Sequence, residues 1–169
     1  MKIAVYCGST LGNNEKYAKV AEKLGNWIGS NHHTLVYGGG KSGMMGVVAN
    51  SVLKAGGDVI GVLPDNEEIL SRKHPALTKY YYVKNLSQRK EKMIELADAF
   101  IALTGGPGTL DEVSDVIALR RIHEISCPIV LYDVDGFYLL LKNFYNYMIG
   151  KEFLKPCDME GVLFSENLK

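Results

Sequence analysis

The sequence predicts an α/β domain built on a doubly wound parallel sheet, and three observations carry that expectation. Apolar runs of strand length alternate with helical patterns along most of the chain. Repeated strand-helix units imply parallel strands, because parallel strands need crossovers and are covered by helices on both faces. At 169 residues with 47% hydrophobic content, the chain can bury roughly two thirds of its unfolded surface around one core. One Rossmann-like domain spanning 1–169 is therefore expected.

Taken in order, KIAVYC reads as a strand, EKYAKVAEKLGNWIGS as a helix, TLVY as a strand, MMGVVANSVLKAG as a helix and DVIGVLP as a strand. The alternation resumes with the helix LSQRKEKMIELA, the strand AFIALT and the helix TLDEVSDVIALRRI, then the strand PIVLYD and the helix FYLLLKNFYNYM. Between them lies one long irregular piece over 64–85, PDNEEILSRKHPALTKYYYVKN. Its middle is charged and its KYYYV end favours strand, which predicts a mobile loop followed by a short strand. There is no repeat, low-complexity tract or linker, and the residues after Lys155 carry no usable periodic signal.

Composition excludes several function classes. Lys plus Arg and Asp plus Glu both number 19, so no basic excess advertises a nucleic-acid polymer or an anionic membrane as partner. Any anion must be gripped locally. Cys7, Cys127 and Cys157 form no CxxC pair and no Cys/His cluster of zinc-site form, which argues against a disulfide framework or a structural metal. The N-terminal apolar run is too short for a signal peptide or membrane span, so a cytoplasmic location is expected.

In a parallel sheet the ligand crevice lies outside the carboxyl ends of the strands. CGSTLGNN, GGGKSG, PDNEE and TGGPGT all leave such ends, and two of these segments are glycine-rich. YGGGKSGMMG contains GKS, yet a P-loop would need a glycine where Leu35 stands. The same segment fits G-x-G-x-x-G through Gly38, Gly40 and Gly43, with Asp65 near the end of the next strand. It serves either a dinucleotide or merely a tight strand-to-helix turn.

In TGGPGTLDEV, Gly105, Gly106 and Gly108 precede a helical pattern whose free N–H groups and dipole suit an anion. Two such loops on one edge point to a ligand with a phosphate. Arg89 and Lys90 sit in the first turn of their helix, where positive charge opposes the dipole by about 0.3–1 kcal/mol each. They form either an ordinary solvated face, with Glu91 offsetting part of the cost, or a third grip on the anion. Thr109-x-x-Glu112 has the form of a capping box, in which the glutamate only satisfies the N-cap amide. Turned toward the ligand, Glu112 could instead act as a base or stabilise positive charge. Asp111 either touches the ligand or is an ordinary first-turn acid.

Plainer uses suit the remaining candidates. Cys7 reads as a small buried hydrophobe rather than a nucleophile, since no partner base is evident. His32 and His33 precede a strand on the edge away from the crevice, and His123 with Arg120 and Arg121 suits a helix C-terminus. Tyr80, Tyr81 and Tyr82 read as strand packing rather than a stacking platform. Lys41 and Ser42 read as turn residues.

Taken together these residues resemble the Lonely Guy family of cytokinin riboside 5′-monophosphate phosphoribohydrolases, often labelled lysine decarboxylases. The family motif P-G-G-x-G-T-x-x-E is matched by Gly105, Gly106, Gly108, Thr109 and Glu112, with Thr104 in place of the opening proline. R-K-x-x-M is matched by Arg89, Lys90 and Met93, and YGGG-x-x-G-x-M-G by Tyr37 through Gly46. CGS at Cys7 to Ser9 and DGFY near Asp135 extend the similarity over most of the chain.

The resemblance implies an N-glycosidase that hydrolyses AMP or an N6-substituted, cytokinin-type AMP to free base and ribose 5-phosphate. It implies Glu112 and Arg89 as the catalytic pair, with Lys90 in support and Gly106, Gly108 and Thr109 cradling the phosphate. Gly8, Ser9, Gly39 and Gly40 on the facing loops belong to the implied substrate-binding set, as do Met93, Gly105, Leu110 and Asp111. The 64–85 loop, which differs from typical members, is expected to border the base. No metal or organic cofactor is required, and a homodimer or larger homo-oligomer is implied. The rival from a different class is a non-catalytic nucleotide or molybdenum-cofactor carrier on the same fold, and a dinucleotide dehydrogenase comes third.

Overall fold

The computed structural model describes residues 1–167. Its seven strands are β1 (Lys2–Tyr6), β2 (Thr34–Tyr37), β3 (Asp58–Pro64), β4 (Lys79–Val83), β5 (Ala99–Ala102), β6 (Ile129–Tyr132) and β7 (Val162–Ser165). They form one sheet in the order β4-β3-β2-β1-β5-β6-β7, and every pairing is parallel. The chain winds outward from β1 in one direction, returns to the centre, and winds outward from β5 in the other. This is the doubly wound α/β architecture, and it puts the reversal of strand order between β1 and β5.

Six helices cover the sheet: α1 (Glu15–Ser30), α2 (Gly43–Lys54), α3 (Glu67–Ser71), α4 (Leu86–Leu96), α5 (Pro107–Arg121) and α6 (Leu139–Gly150). Ala21, Leu24 and Ile28 of α1 and Val48 and Val52 of α2 bury one face, against Ile3, Val5, Leu35 and Val59. Met93 of α4 and Val113, Val116 and Ile117 of α5 bury the other, with Leu141 and Tyr145 of α6 packed against the same cluster around Ala4, Tyr6, Phe100 and Leu131. Neighbouring strand residues thus alternate between two cores, as the two-residue side-chain period requires. Burial on both faces explains why the strands read as apolar runs.

The elements expected from the sequence appear within a residue or two of their ends; α5 starts at Pro107 rather than Thr109. Two regions differ in kind. The residues after Lys155 form a short 3₁₀ turn over Pro156–Met159 and then the edge strand β7. The segment 64–85 carries α3 and is stitched to the glycine turn after β2. Asn66 caps α3, its side-chain oxygen accepting from Glu68 N at 3.0 Å and Ile69 N at 3.3 Å. Lys41 N donates to Arg72 O at 3.0 Å, His74 N donates to Gly39 O at 2.9 Å, and Lys41 Nζ reaches Ser71 O at 3.0 Å. These bonds and α3 replace the irregular loop expected from the charge pattern with regular structure, and the short strand expected at its end is β4.

His74 is the buried knot of this segment, 4% exposed. Its Nδ1 accepts from Ala76 N at 3.2 Å, which leaves the ring proton on Nε2 to donate to Asn50 Oδ1 of α2 at 3.0 Å. Its carbonyl accepts from the Tyr80 hydroxyl at 2.7 Å. Burial holds the imidazole pKa below its usual 6.5. The unfolded chain therefore binds the extra proton first as pH falls. The contribution is complete above about pH 6.5 and is lost as pH drops through that value toward the folded pKa, with a slope of at most about 1.4 kcal/mol per pH unit. Denaturant titrations of the unmodified chain and of His74→Gln between pH 5 and 8 should show this. The substitution is expected to cost about 1–3 kcal/mol at pH 7.5 and to flatten the acid-side slope; an unchanged slope would remove His74 as its source.

Candidate functional site

The reversal between β1 and β5 separates the loops that leave those strands, and a cavity of about 260 Å³ opens there at the carboxyl edge. From β1 come Val5, Cys7, Gly8 and Ser9; from the glycine turn after β2 come Gly38 and, on α2, Met45. Arg89 of α4 enters from the side. Gly106, Pro107, Gly108, Thr109 and Glu112 form the remaining wall at the start of α5.

Backbone bonds hold the three loops together. Gly8 N donates to Thr104 O at 3.0 Å and Met44 N to Thr10 O at 3.3 Å. The Tyr37 hydroxyl closes the glycine turn on Gly40 O at 3.1 Å. Gly43 has φ +62°, and a side chain there would run into the Ser9 carbonyl. A residue other than glycine would push α2 away from the loop after β1. This requirement accounts for the third glycine of the G-x-G-x-x-G pattern without any dinucleotide.

Helix α5 begins in a form suited to an anion. Its N-cap is Gly106, no side chain caps it, and Pro107 takes the first helical position, where a missing N–H costs nothing. The first-turn N–H groups of Gly108 and Thr109 then stand at the cavity wall with the positive end of the helix dipole. Thr109 lies inside the helix and is 5% exposed, so it is not the N-cap and the capping box does not form. Glu112 is released from that duty.

Its carboxylate instead meets a guanidinium: Arg89 Nη2 donates to Glu112 Oε1 at 2.6 Å, with side chains 20% and 9% exposed respectively. Burial pushes the Glu112 carboxyl above the ordinary carboxylate range; Arg89 and Lys90 pull it down and Asp111 pushes it up. Arg89 Nη1 lies 3.3 Å from the place a Cβ on Gly38 would take, so the bare backbone of the turn makes room for the guanidinium. Cys7, buried at the cavity floor, has its thiol pKa raised by burial and by the Glu112 charge, which keeps it protonated.

The remaining sequence candidates spread out around this centre. Lys90 reaches outward to Asp111 at 3.1 Å and Asp115 at 3.3 Å, beside rather than inside the cavity. Leu110 is 45% exposed on α5. Gly39 packs against Leu63, Gly40 bridges to Lys73, and Met93 is fully buried in the core below Arg89. Gly105 borders an adjoining cavity of about 250 Å³ lined also by Gly8, Tyr17, Met44 and Phe137. Neither cavity, among the described residues, takes any lining from 64–85. Pro107 was not singled out in the sequence, while Gly38 and Met45 entered only as members of the glycine fingerprint and of the YGGG-x-x-G-x-M-G match, not as site residues. Among the described residues no group of three or more His, Cys, Asp or Glu is placed to hold a metal ion, and no helix is long and apolar enough to cross a membrane.

A family model described as "Possible lysine decarboxylase" matches residues 45–169. A cytokinin riboside 5′-monophosphate phosphoribohydrolase of Rhodococcoides fascians is 34% identical over 99% of this chain and 85% of its own length. One from Arabidopsis thaliana is 35% identical over 99% of this chain and 78% of its own length. Among solved structures, the molybdenum cofactor carrier protein of Chlamydomonas reinhardtii superposes with a TM-score of 0.73 at 23% identity, covering 96% of this chain and 88% of that one. At that identity the likeness concerns the fold. With a buried Arg-Glu pair beside an uncapped helix start, and with these relatives, the chain belongs to the Lonely Guy family, the one whose model bears the decarboxylase description.

Proposed function

We propose that this chain hydrolyses the N-glycosidic bond of a nucleoside 5′-monophosphate, AMP or an N6-substituted AMP, to the free base and ribose 5-phosphate. The observation that carries this reading is the Glu112 carboxylate, buried and paired with Arg89 in the cavity that also receives the start of α5. As the base leaves, C1′ takes on positive charge, and a carboxylate beneath it stabilises that charge and positions water. Glu112 has this role. Arg89 holds the ribose hydroxyls or phosphate and keeps the carboxylate in register, with Lys90 supporting from outside through Asp111 and Asp115. Gly106, Gly108 and Thr109 receive the phosphate through backbone and hydroxyl donors, and Gly8 and Ser9 close the opposite side. Gly39, Gly40 and Met93 back the lining from behind, Gly105 borders the adjoining cavity, and Leu110 and Asp111 lie on α5 outside it. The relatives named as phosphoribohydrolases support the reaction class.

The function we assign is that of a cytoplasmic enzyme working as a homodimer or larger assembly. An apolar face supports the assembly: Leu140 is 82% and Phe153 79% exposed, and Phe144 and Tyr147 stand more than half exposed on α6 beside them. Monomeric proteins seldom present such a patch to water.

Chromatography of reactions with AMP, other purine monophosphates and N6-prenylated AMP should show free base released by the unmodified chain. Glu112→Gln is expected to lower kcat by about 10²–10³-fold or more with the fold intact by circular dichroism; full activity would sink the mechanism. Tight nucleotide binding without base release over hours would favour a carrier. Because the carboxylate is the active form and its pKa is raised, activity should fall as pH drops through a value above the ordinary 4.5. Sedimentation velocity is the check on assembly: Leu140→Glu with Phe144→Glu should shift the chain to monomer, and an unchanged size would rule out α6 as the interface.

A further inference from the structure

One buried titratable group beside the pair has no part in the mechanism so far. Tyr6, the last residue of β1, is 1% exposed and turns its ring onto the sheet face covered by α4 and α5. The ring stacks on Phe100 with centroids 6.1 Å apart and planes 15° from parallel. It shares its core with Met93 of α4 and Val113 and Val116 of α5.

Helical spacing then fixes what lies at the outer end of the ring. Arg89 is four residues before Met93 and Glu112 four before Val116, so each sits one turn nearer the carboxyl edge on the same helix face. Both helices start at that edge, and Tyr6 reaches it from the strand below. Among the described residues, two buried side-chain polar atoms have no hydrogen-bond partner: Tyr6 Oη and Arg89 Nε. Buried polar groups are otherwise almost always satisfied, so two orphans, one on the ion pair itself and one on the strand residue packed beneath its two helices, call for a reason. The phenol pKa is raised, first by burial and then by the charges of Glu112 and Asp115, with Arg89 pulling the other way. Tyr6 therefore stays neutral and keeps a proton to donate.

We propose that Tyr6 is a positioning residue for the Arg89–Glu112 pair: its hydroxyl, unpartnered in the arrangement described, accepts from Arg89 Nε and donates to the Glu112 carboxylate once substrate draws on the guanidinium. In the described arrangement Arg89 Nη2 is the donor to that carboxylate. When a phosphate or ribose draws on the guanidinium, the tyrosine hydroxyl keeps Glu112 supplied with a donor. The carboxylate then stays ionised and aimed at the cavity while its arginine is shared. This role rests on the function proposed above, but its effect on the Glu112 proton can be read without turnover.

Tyr6→Phe keeps the ring and its stacking and removes only the hydroxyl. Base release by this variant is expected to show kcat about tenfold lower with KM within about twofold. The acid limb of its pH profile should move up by about 0.5–1 unit, because a donor to the charged carboxylate has been lost. Carbon-13 titration of the Glu112 carboxyl with ribose 5-phosphate added should show the same upward move. Phe100→Leu loosens the packing beneath the ring while leaving the hydroxyl; it should lower Tm without moving that titration. A Tyr6→Phe variant with unchanged titration, unchanged pH profile and higher Tm would overturn the proposal, as would an equal titration shift in Phe100→Leu. If the unmodified chain releases no base from any nucleotide, the functional reading falls, and the carboxyl titration alone still decides the role of Tyr6.

Discussion

The structure depends on a constraint that parallel strands impose. They cannot be joined by hairpins, so each connection crosses the sheet and returns to the starting edge. Every loop that leaves a strand therefore lies on one rim. The chain lays strands to one side of β1 and then to the other side of β5, which draws the loops after those two strands apart and leaves a crevice between them. The cavity is a product of topology before any side chain is chosen. The glycine turn and the start of α5 line it because strands and helices must exchange places on that rim.

Within the crevice, burial and charge oppose one another. Burial favours the neutral form of the Glu112 carboxyl, whereas the guanidinium of Arg89 at 2.6 Å favours the ionised form. Arg89 reaches the spot from the first turn of α4, where it works against that helix's dipole, and Glu112 from the second turn of α5. A cation at that end of α4 makes little structural sense in isolation. It becomes intelligible once the carboxylate across the crevice is included, since each charge offsets the cost of burying the other.

Much of the fold was legible because the strands are buried on both faces. TLVY and DVIGVLP read as strands from composition alone, and the structure gives β2 and β3 the same limits. Apart from the KYYYV strand, the segment 64–85 was not legible, because what orders it is remote: the Gly39 carbonyl, the N–H and ammonium of Lys41, and the Asn50 amide. β7 was hidden for a related reason, being a four-residue edge strand whose partner β6 supplies its order. At the site, Arg89 stood out as a charge at the wrong end of its helix. Thr109 and Glu112 carried a local pattern that pointed to a cap, and the deciding detail was that α5 starts two residues earlier, at Gly106 and Pro107. A four-residue motif cannot reveal where its own helix begins. Met45 stood out only as a letter of the matched family motif, because core and cavity make the same demands on a methionine.

The missing side chain of Gly38 has a consequence for how such a site is mapped by mutation. Arg89 Nη1 occupies the space next to that backbone, 3.3 Å from where a Cβ would stand. A methyl group there carries no charge and no proton, yet it would press on the guanidinium and through it on the carboxylate. In a survey of variants scored by activity, this position would be ranked among the acid–base residues. The functional map of this protein thus extends to an atom that the sequence leaves out.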